Sequence, residues 1–109
     1  MNDEDPVCKH FQHAAELIAK RWTPQILQAL LAGSERFTQL KGAIPQISDA
    51  LLSDRLKELE AAGIVTRTVT PSTPVRIDYG LSERGRDLGG VMAELGAWAE
   101  RWSDAPAHS

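Results

Sequence analysis

The stretch PQISDALLSDRLKELEAAGIV, residues 45 to 65, carries the helical pattern around which the rest of the chain can be arranged. Ser48 is a good N-cap because its hydroxyl accepts from first-turn N–H groups, and Asp49 suits the positive end of the helix dipole. Gly63 is suited to end the helix. The stretch therefore predicts an amphipathic helix over residues 48–62. Its apolar face carries leucines at helical spacing: Leu52, Leu56 and Leu59.

Three helical segments precede this helix. The first begins near Phe11 and repeats apolar residues at helical spacing. Thr23 can cap the second segment and Pro24 fits its first helical position, while Gly33 ends its apolar stripe. A short third helix is predicted roughly over residues 37–43. About four residues separate it from Ser48, which is the turn length of a helix–turn–helix unit.

The period of the pattern changes after Gly63. The segments IVTRTVT, residues 64–70, and VRIDYGL, residues 75–81, are rich in β-branched residues and predict two short strands. PSTP between them is turn material. Ser82 can cap a last helix that runs to about Trp102. The second strand alternates apolar and polar residues, which indicates a sheet with one solvated face.

This element order predicts a mainly α fold with a small β-hairpin, because a helix–turn–helix followed directly by a hairpin is a winged helix. The 109 residues suit one domain. We expect a flexible N-terminal segment at residues 1–10, a winged helix–turn–helix domain with terminal dimerisation helices at residues 11–103, and a C-terminal tail at residues 104–109.

Composition excludes several classes of protein. With 42% hydrophobic and 25% charged residues, the chain is not expected to be disordered. The apolar runs are too short for a membrane span, and the acidic N-terminus is no signal peptide. One cysteine fits a reducing cytoplasm. A Gly-rich phosphate loop, HExxH and GxSxG are all absent from the sequence, so we expect neither an enzyme nor a cofactor.

Several spaced motifs carry a resemblance to a known family. They are KRWT at 20–23, RF-x-x-L at 36–40, I-x-x-x-L-L-x-x-x-L-x-x-L-E at 47–60, and a wing ending in Tyr79 and SERG at 82–85. In order and content they resemble the HxlR-type branch of the winged-helix regulators, small bacterial transcription factors related to the MarR group. The resemblance covers nearly the whole chain beyond its first residues.

The resemblance implies a cytoplasmic, nucleoid-associated homodimer that binds double-stranded DNA at a palindromic operator. The helix at residues 48–62 would enter the major groove and the wing, residues 70–76, would touch the flanking backbone. Members often carry a cysteine shortly before the first helix, and in some it senses oxidants or electrophiles. Cys8 occupies that place, so an oxidant or another small molecule is the effector that the resemblance allows.

Charge argues against this function at first. The chain has net charge −3, and the helix at 48–62 carries four acidic residues against Arg55 and Lys57. DNA binding instead requires cations at the right places on the folded surface. The residues expected nearest the base edges are short and polar or small: Ser48, Asp49, Ala50 and Ser53. The residues expected to contact phosphate are basic: Arg36, Lys41, Lys57, Arg67 and Arg76.

One departure from the family leaves an alternative open. Members often place a basic residue early in this helix, where the chain has Asp49 and Ala50. An acidic winged-helix adaptor that binds protein is therefore a second hypothesis. Further along the helix, Glu58 and Glu60 are expected to tilt away from the groove. Arg55 borders the core face, so we expect it to pack or form a salt bridge.

The last helix carries a long apolar stripe that ends in two tryptophans. Such a stripe suits a dimer interface better than the limited core of a small winged helix, although packing within one domain is the alternative. Gly89 is expected to permit close helix approach. The predicted interface residues lie on the first and last helices: Phe11, Ala14, Ile18, Leu88, Val91, Met92, Leu95, Trp98 and Trp102.

Cys8 has Lys9 beside it and His10 and His13 nearby. Cationic neighbours favour the reactive thiolate, which can form a sulfenic acid or an intersubunit disulfide. An inert thiol is the alternative. Cys8, His10 and His13 could also hold a metal, but no fourth ligand is evident nearby, so no metal site is predicted.

Overall fold

Five helices and one antiparallel hairpin make up residues 8–103, the part of the chain that the computed structural model describes. The predicted tail at 104–109, and residues 1–7 of the predicted flexible segment, lie outside the described residues. The elements are α1 (Lys9–Ala19), α2 (Thr23–Leu31), α3 (Phe37–Ala43), α4 (Asp49–Ala61), β1 (Val65–Thr70), β2 (Arg76–Leu81) and α5 (Glu83–Arg101). This order confirms the predicted mainly α fold with a small hairpin.

Local chemistry sets the boundaries of α4 and α5 as predicted. The Ser48 hydroxyl accepts from the Leu51 N–H at 3.1 Å, and the Ser82 hydroxyl accepts from the Gly85 N–H at 3.0 Å. Gly63 follows α4 with φ of 76°, a left-handed conformation that glycine adopts without strain. Each helix therefore begins or ends where a residue satisfies the orphan backbone groups of its terminus.

The starts of α1 and α2 differ from the predictions. Helix α1 begins at Lys9 rather than Phe11, so the last two residues of the predicted flexible segment are helical. Thr23 does not cap α2: it is the first helical residue and is buried, while the cap is Trp22 with φ of 76°. A left-handed backbone conformation is strained for tryptophan, and the sequence gives no sign of this strain.

The core lies between α2, α3, α4 and the base of the hairpin. Burying one large aliphatic side chain contributes about 1.5–3 kcal/mol, so this cluster supplies most of the driving force for folding. The leucines that were predicted to face inward from α4 do so. The fully buried aliphatic side chains of the cluster are Ile26, Leu27, Leu40, Ile47, Leu52, Leu56 and Leu59.

The hairpin pairs β1 with β2 in an antiparallel register from Val65 opposite Leu81 to Thr70 opposite Arg76. The free edge of β2 is partly covered, because the Tyr79 N–H donates to the Glu35 carbonyl at 2.7 Å. This bond ties the hairpin to the loop between α2 and α3. The wing is therefore fixed to the helix–turn–helix unit on its β2 side.

Helix α5 packs by its first half and extends beyond the domain by its second. A Cβ at Gly89 would lie 2.6 Å from Leu31 Cδ1, so this glycine permits close approach to α2, as predicted. The radius of gyration, 16.2 Å, exceeds the value of about 13 Å for a compact domain of this size. Neither α5 nor any other helix within residues 8–103 is both long and apolar enough to cross a bilayer.

Candidate nucleic-acid interface

The outer face of α4 is polar and open to solvent. Ser48, Asp49, Ala50 and Lys57 are exposed, while Ser53 is half-buried. Because the leucines fix the opposite face in the core, these side chains cannot turn inward without unfolding the helix. The predicted base-reading residues thus lie together on one accessible surface at the amino end of α4. This surface, the predicted reading surface, consists of Ser48, Asp49, Ala50 and Ser53.

A depression of about 250 Å³ separates α4 from the wing. From α4 it is lined by Ser53, Lys57 and Glu60, and from the hairpin by Arg67 and Tyr79, which face each other across the strands. The hairpin therefore presents one face to the reading surface of α4. Glu60 also lines this depression, and its predicted tilt away from the DNA groove stays a prediction.

The predicted phosphate-contacting residues differ in whether their charged groups are already bonded within the protein. Within residues 8–103, neither Lys57 nor Arg67 forms an ion pair, so both are available to an anion. Lys41 is half-buried, and its Nζ donates to the Pro45 carbonyl at 3.2 Å, in the turn that follows α3. Lys57 and Arg67 are thus the cations that border the reading surface most directly.

Arg36 and Arg76, the remaining basic candidates, share one acceptor. Arg36 Nε lies 2.9 Å from Asp78 Oδ1, and Arg76 Nε lies 2.9 Å from Asp78 Oδ2. The hydrogen bond from Arg76, followed by its charge and the corresponding effects of Arg36, holds the pKa of Asp78 below the usual value of 3.8, although partial desolvation opposes them. The carboxylate is therefore ionised throughout the physiological range.

Asp78 was not among the predicted site residues. The signal that could have found it is strand periodicity, because Arg76 and Asp78 are two residues apart and share one face of β2. The contact with Arg36 spans 42 positions and has no local signature.

One of the acidic residues of α4 is neutralised by pairing. Glu58 accepts Lys20 Nζ at 3.2 Å and Arg55 Nη1 at 3.3 Å. Arg55 also donates from Nε to the Arg21 carbonyl at 3.0 Å, and its side chain is only 17% exposed. The predicted structural role of Arg55 is confirmed, and Glu58 is held by Lys20 and Arg55. The reading surface is thus less acidic than the sequence suggests.

A second surface, the apolar stripe, is defined by the exposed side chains of Phe11, Val91, Leu95, Trp98 and Trp102. Its last four members recur at intervals of four, three and four residues, the spacing of a helix–helix seam. An apolar groove of about 320 Å³ lies beside the stripe, between α1 and the first half of α5. Contiguous exposed apolar surface is typical of interaction sites.

Three predicted interface residues are not fully exposed. Met92 is only 6% exposed and belongs to the core of its own subunit, so its placement on the outer stripe is wrong. The reason is rotation, since Met92 lies about 100° around the helix from Val91 and faces inward. Ile18 and Leu88 are half-buried against the core, and Ala14 is exposed. Both half-buried residues line the groove.

Cys8 is exposed at the start of α1, where its carbonyl accepts from the Gln12 N–H at 3.0 Å. It precedes Phe11 of the apolar stripe by less than one helical turn. In residues 8–103, no group of three or more His, Cys, Asp or Glu side chains is arranged to hold a metal ion.

The helix–turn–helix core, the attached wing and the polar outer face of α4 together define a winged helix–turn–helix transcriptional regulator. The match to a family model is consistent with that class. Residues 17–107 match the HxlR-like helix-turn-helix family, and the chain belongs to this family.

Similar proteins share this character. The chain is 42% identical over 102 residues to the HTH-type transcriptional regulator YvaP of Bacillus subtilis, covering 94% of each chain. It is 41% identical over 98 residues to the HTH-type transcriptional regulator YodB of the same organism, covering 90% of this chain and 88% of YodB. The family and these relatives are transcriptional regulators, not enzymes.

Solved structures agree with the fold. The reduced form of YodB matches with TM-score 0.81 at 41% identity, covering 90% of this chain and 96% of that one. YodB treated with diamide and YodB bound to quinone also match, with TM-scores of 0.78 and 0.76. The redox regulator HypR in its reduced form matches with TM-score 0.84 at 28% identity, covering 92% and 99% of the two chains.

Proposed function

We propose that the protein is a homodimer that binds a palindromic DNA operator, with α4 in the major groove and the hairpin ends on the flanking backbone. The observation that carries this proposal is the exposed polar face of α4 beside Lys57 and Arg67. Short hydroxyl and carboxylate side chains can read base edges, and the two cations can hold phosphate. Arg36, Lys41 and Arg76 add basic groups around the same unit.

The apolar stripe supports self-association. A second copy would cover Leu95, Trp98 and the neighbouring groove, and aromatic anchors of this kind dominate the energy of protein interfaces. A two-fold axis would then place two copies of α4 on one side of the dimer. In such dimers the reading helices are about 34 Å apart, one turn of DNA.

We further propose that Cys8 makes the regulator responsive to oxidants or electrophiles. The thiol is exposed, and Cys8 lies less than one helical turn before Phe11 of the stripe. Two thiols, one from each protomer, can form a disulfide by losing two electrons and two protons to an oxidant such as diamide. A quinone can instead add to a single thiolate. Either change at the dimer interface would alter the spacing of the two copies of α4.

The test of DNA binding uses fluorescence anisotropy with a labelled duplex from the upstream region of the protein's own gene. Lys57→Ala and Arg67→Ala should each weaken binding by about five- to ten-fold and reduce its salt dependence. Arg101→Ala removes the same charge at the far end of α5, about 27 Å along the helix from its start, and should bind as wild type does.

Two results would decide against operator binding. Wild-type protein, reduced or oxidised, that fails to distinguish this duplex from a scrambled one at low salt would remove the proposal. Normal regulation of the target gene by Arg36→Ala, Lys57→Ala and Arg76→Ala together would favour the protein-binding adaptor instead.

A further inference from the structure

We propose that Asp78 is a positioning residue that holds Arg36 and Arg76 as a paired clamp for one phosphate of the DNA backbone. The inference rests on the proposed DNA-binding function and deepens it. The charge of the Asp78 carboxylate repels DNA. The inference nevertheless gives this carboxylate a role in DNA binding, because it positions two arginines.

The geometry of the cluster is that of a bridge. Each carboxylate oxygen of Asp78 accepts one Nε, from Arg36 on one side and from Arg76 on the other, both at 2.9 Å. The Asp78 side chain is 23% exposed, whereas those of Arg36 and Arg76 are 41% and 52% exposed. The anion is thus the inner member and the two cations are the outer members.

The outer nitrogens of both guanidinium groups are not used within the cluster. Both arginines bind Asp78 through Nε, and their Nη atoms make no other hydrogen bond or ion pair among residues 8–103. A guanidinium group has a rigid fork of donors, so fixing Nε also fixes the direction of the Nη groups. Asp78 therefore orders donors that an unpaired arginine would present in many rotamers.

Charge balance matches a phosphodiester. Two guanidinium groups and one carboxylate leave the cluster with a net charge of about +1, which one phosphodiester would neutralise. Without the carboxylate, the two cations would repel each other and separate in solvent. Charge-assisted bonds from two neighbouring guanidinium groups suit the two free oxygens of a backbone phosphate.

The position of the cluster favours DNA over a free anion. Arg76 is in the last cross-strand pair before the hairpin loop, opposite Thr70, so it lies where a wing meets the backbone. Arg36 directly precedes α3, the first helix of the helix–turn–helix unit. Asp78 and the nearby bond from Tyr79 N–H to the Glu35 carbonyl join these two segments. The clamp therefore also fixes the wing relative to the start of α3.

The test exploits the sign of the expected effect. Asp78→Asn removes one negative charge from each protomer, so simple attraction predicts tighter DNA binding. The clamp predicts weaker binding, by about five- to ten-fold, because the guanidinium groups lose their shared acceptor. Glu100→Gln makes the same charge change on the side of α5 opposite the apolar stripe and should not weaken binding.

The readout is anisotropy with the upstream duplex and with a scrambled duplex over a series of KCl concentrations. If Asp78→Asn loses the contact with one phosphate per protomer, the slope of log K against log salt should become less steep by about 2 per dimer. Arg76→Lys keeps the charge without the fork and should weaken binding as Asp78→Asn does. Asp78→Glu, which retains a carboxylate, should restore most of the affinity. Inorganic phosphate at millimolar concentration should not compete.

Thermal unfolding of each variant at equal concentration separates misfolding from loss of the clamp. If Asp78→Asn does not fold, the comparison of Arg76→Lys with wild type decides the question alone. Wild-type affinity, or tighter binding, by folded Asp78→Asn or by Arg76→Lys would overturn the clamp while leaving operator binding intact. Failure of wild type to prefer the upstream duplex would overturn operator binding and the clamp with it.

Discussion

Gly85 lies directly against the carbonyl oxygen of Ile64, which joins the first turn of α5 to the chain just beyond α4. Two side-chain bonds strengthen the same joint: Ser82 Oγ donates to the Gly63 carbonyl at 2.6 Å, and Arg84 Nη1 donates to the Ala62 carbonyl at 3.1 Å. The helix with the apolar stripe is thus attached to the end of the helix with the polar reading face. If two copies of α5 meet in the proposed dimer, a change in their contact would be passed to α4 through this joint.

The close contact between Gly85 and the Ile64 carbonyl predicts that adding one methyl group at position 85 lowers stability. A Cβ at position 85 would collide with backbone, which cannot move aside as a side chain can, so Gly85→Ala should lower the free energy of unfolding by about 1–3 kcal/mol. Urea unfolding at fixed protein concentration measures this. Gly90→Ala is the matched control, since nothing lies within 4 Å of its Cβ position. It should raise stability by up to about 1 kcal/mol. Equal effects of both substitutions would contradict the joint.

The cap of α4 predicts a separable effect on stability. Ser48→Ala removes the acceptor of the Leu51 N–H and should cost about 1 kcal/mol. Ser48→Asp keeps an acceptor at the cap and should retain most of the stability. Urea unfolding gives both values. Similar losses in the two variants would mean that the cap bond does not stabilise the helix.

The apolar stripe predicts an effect on oligomeric state. Trp98→Ala should weaken self-association by about 2 kcal/mol or more, and Leu95→Glu should give monomers, because a charge in an apolar interface is left unpaired. Sedimentation at several concentrations measures the state. Val69→Glu is a matched control, since Val69 is 47% exposed and Leu95 is 48% exposed, but Val69 lies on the hairpin. A monomeric wild type would refute the interface.

Cys8 predicts a redox effect on DNA binding. Diamide should change the affinity of wild type for its operator duplex by several-fold, and dithiothreitol should reverse the change if a disulfide forms. Non-reducing electrophoresis detects a cross-linked dimer. Cys8→Ser should bind DNA with wild-type affinity and ignore diamide. The same response in wild type and Cys8→Ser would exclude this mechanism.

The lowered pKa of Asp78 predicts a pH dependence. Because Arg76 and Arg36 stabilise the charged form in the folded protein, the contribution of Asp78 to stability is present above its unfolded pKa and is lost as pH falls through its lower folded pKa. The stability difference between wild type and Asp78→Asn should be constant from about pH 8 to 5 and shrink below about pH 4. Urea unfolding across this range measures the difference. A difference that grows on acidification would be inconsistent with the ion pairs.

Local chemistry let the sequence predict most of the secondary structure. Ser48 and Ser82 mark helix starts, and Gly63 marks an end, because each acts on backbone groups within four residues. The hairpin follows from β-branched residues around a short turn. The leucines of α4 face the core because their spacing matches the helical period.

Features that depend on how elements meet could not be read in this way. The strained conformation of Trp22, the inward turn of Met92 and the placement of Glu60 beside the wing each follow from packing between segments. The pairing of Arg36 with Asp78 joins residues 42 positions apart.

The sequence by itself determined the helix–turn–helix–hairpin order and which face of each helix is apolar, since both arise from interactions over one or two turns of chain. Only the tertiary structure decided which exposed charges remain free and which are paired. It also decided which part of the α5 stripe serves the domain's own core. Those outcomes depend on distances between segments, and the distances are set when several apolar faces share one core.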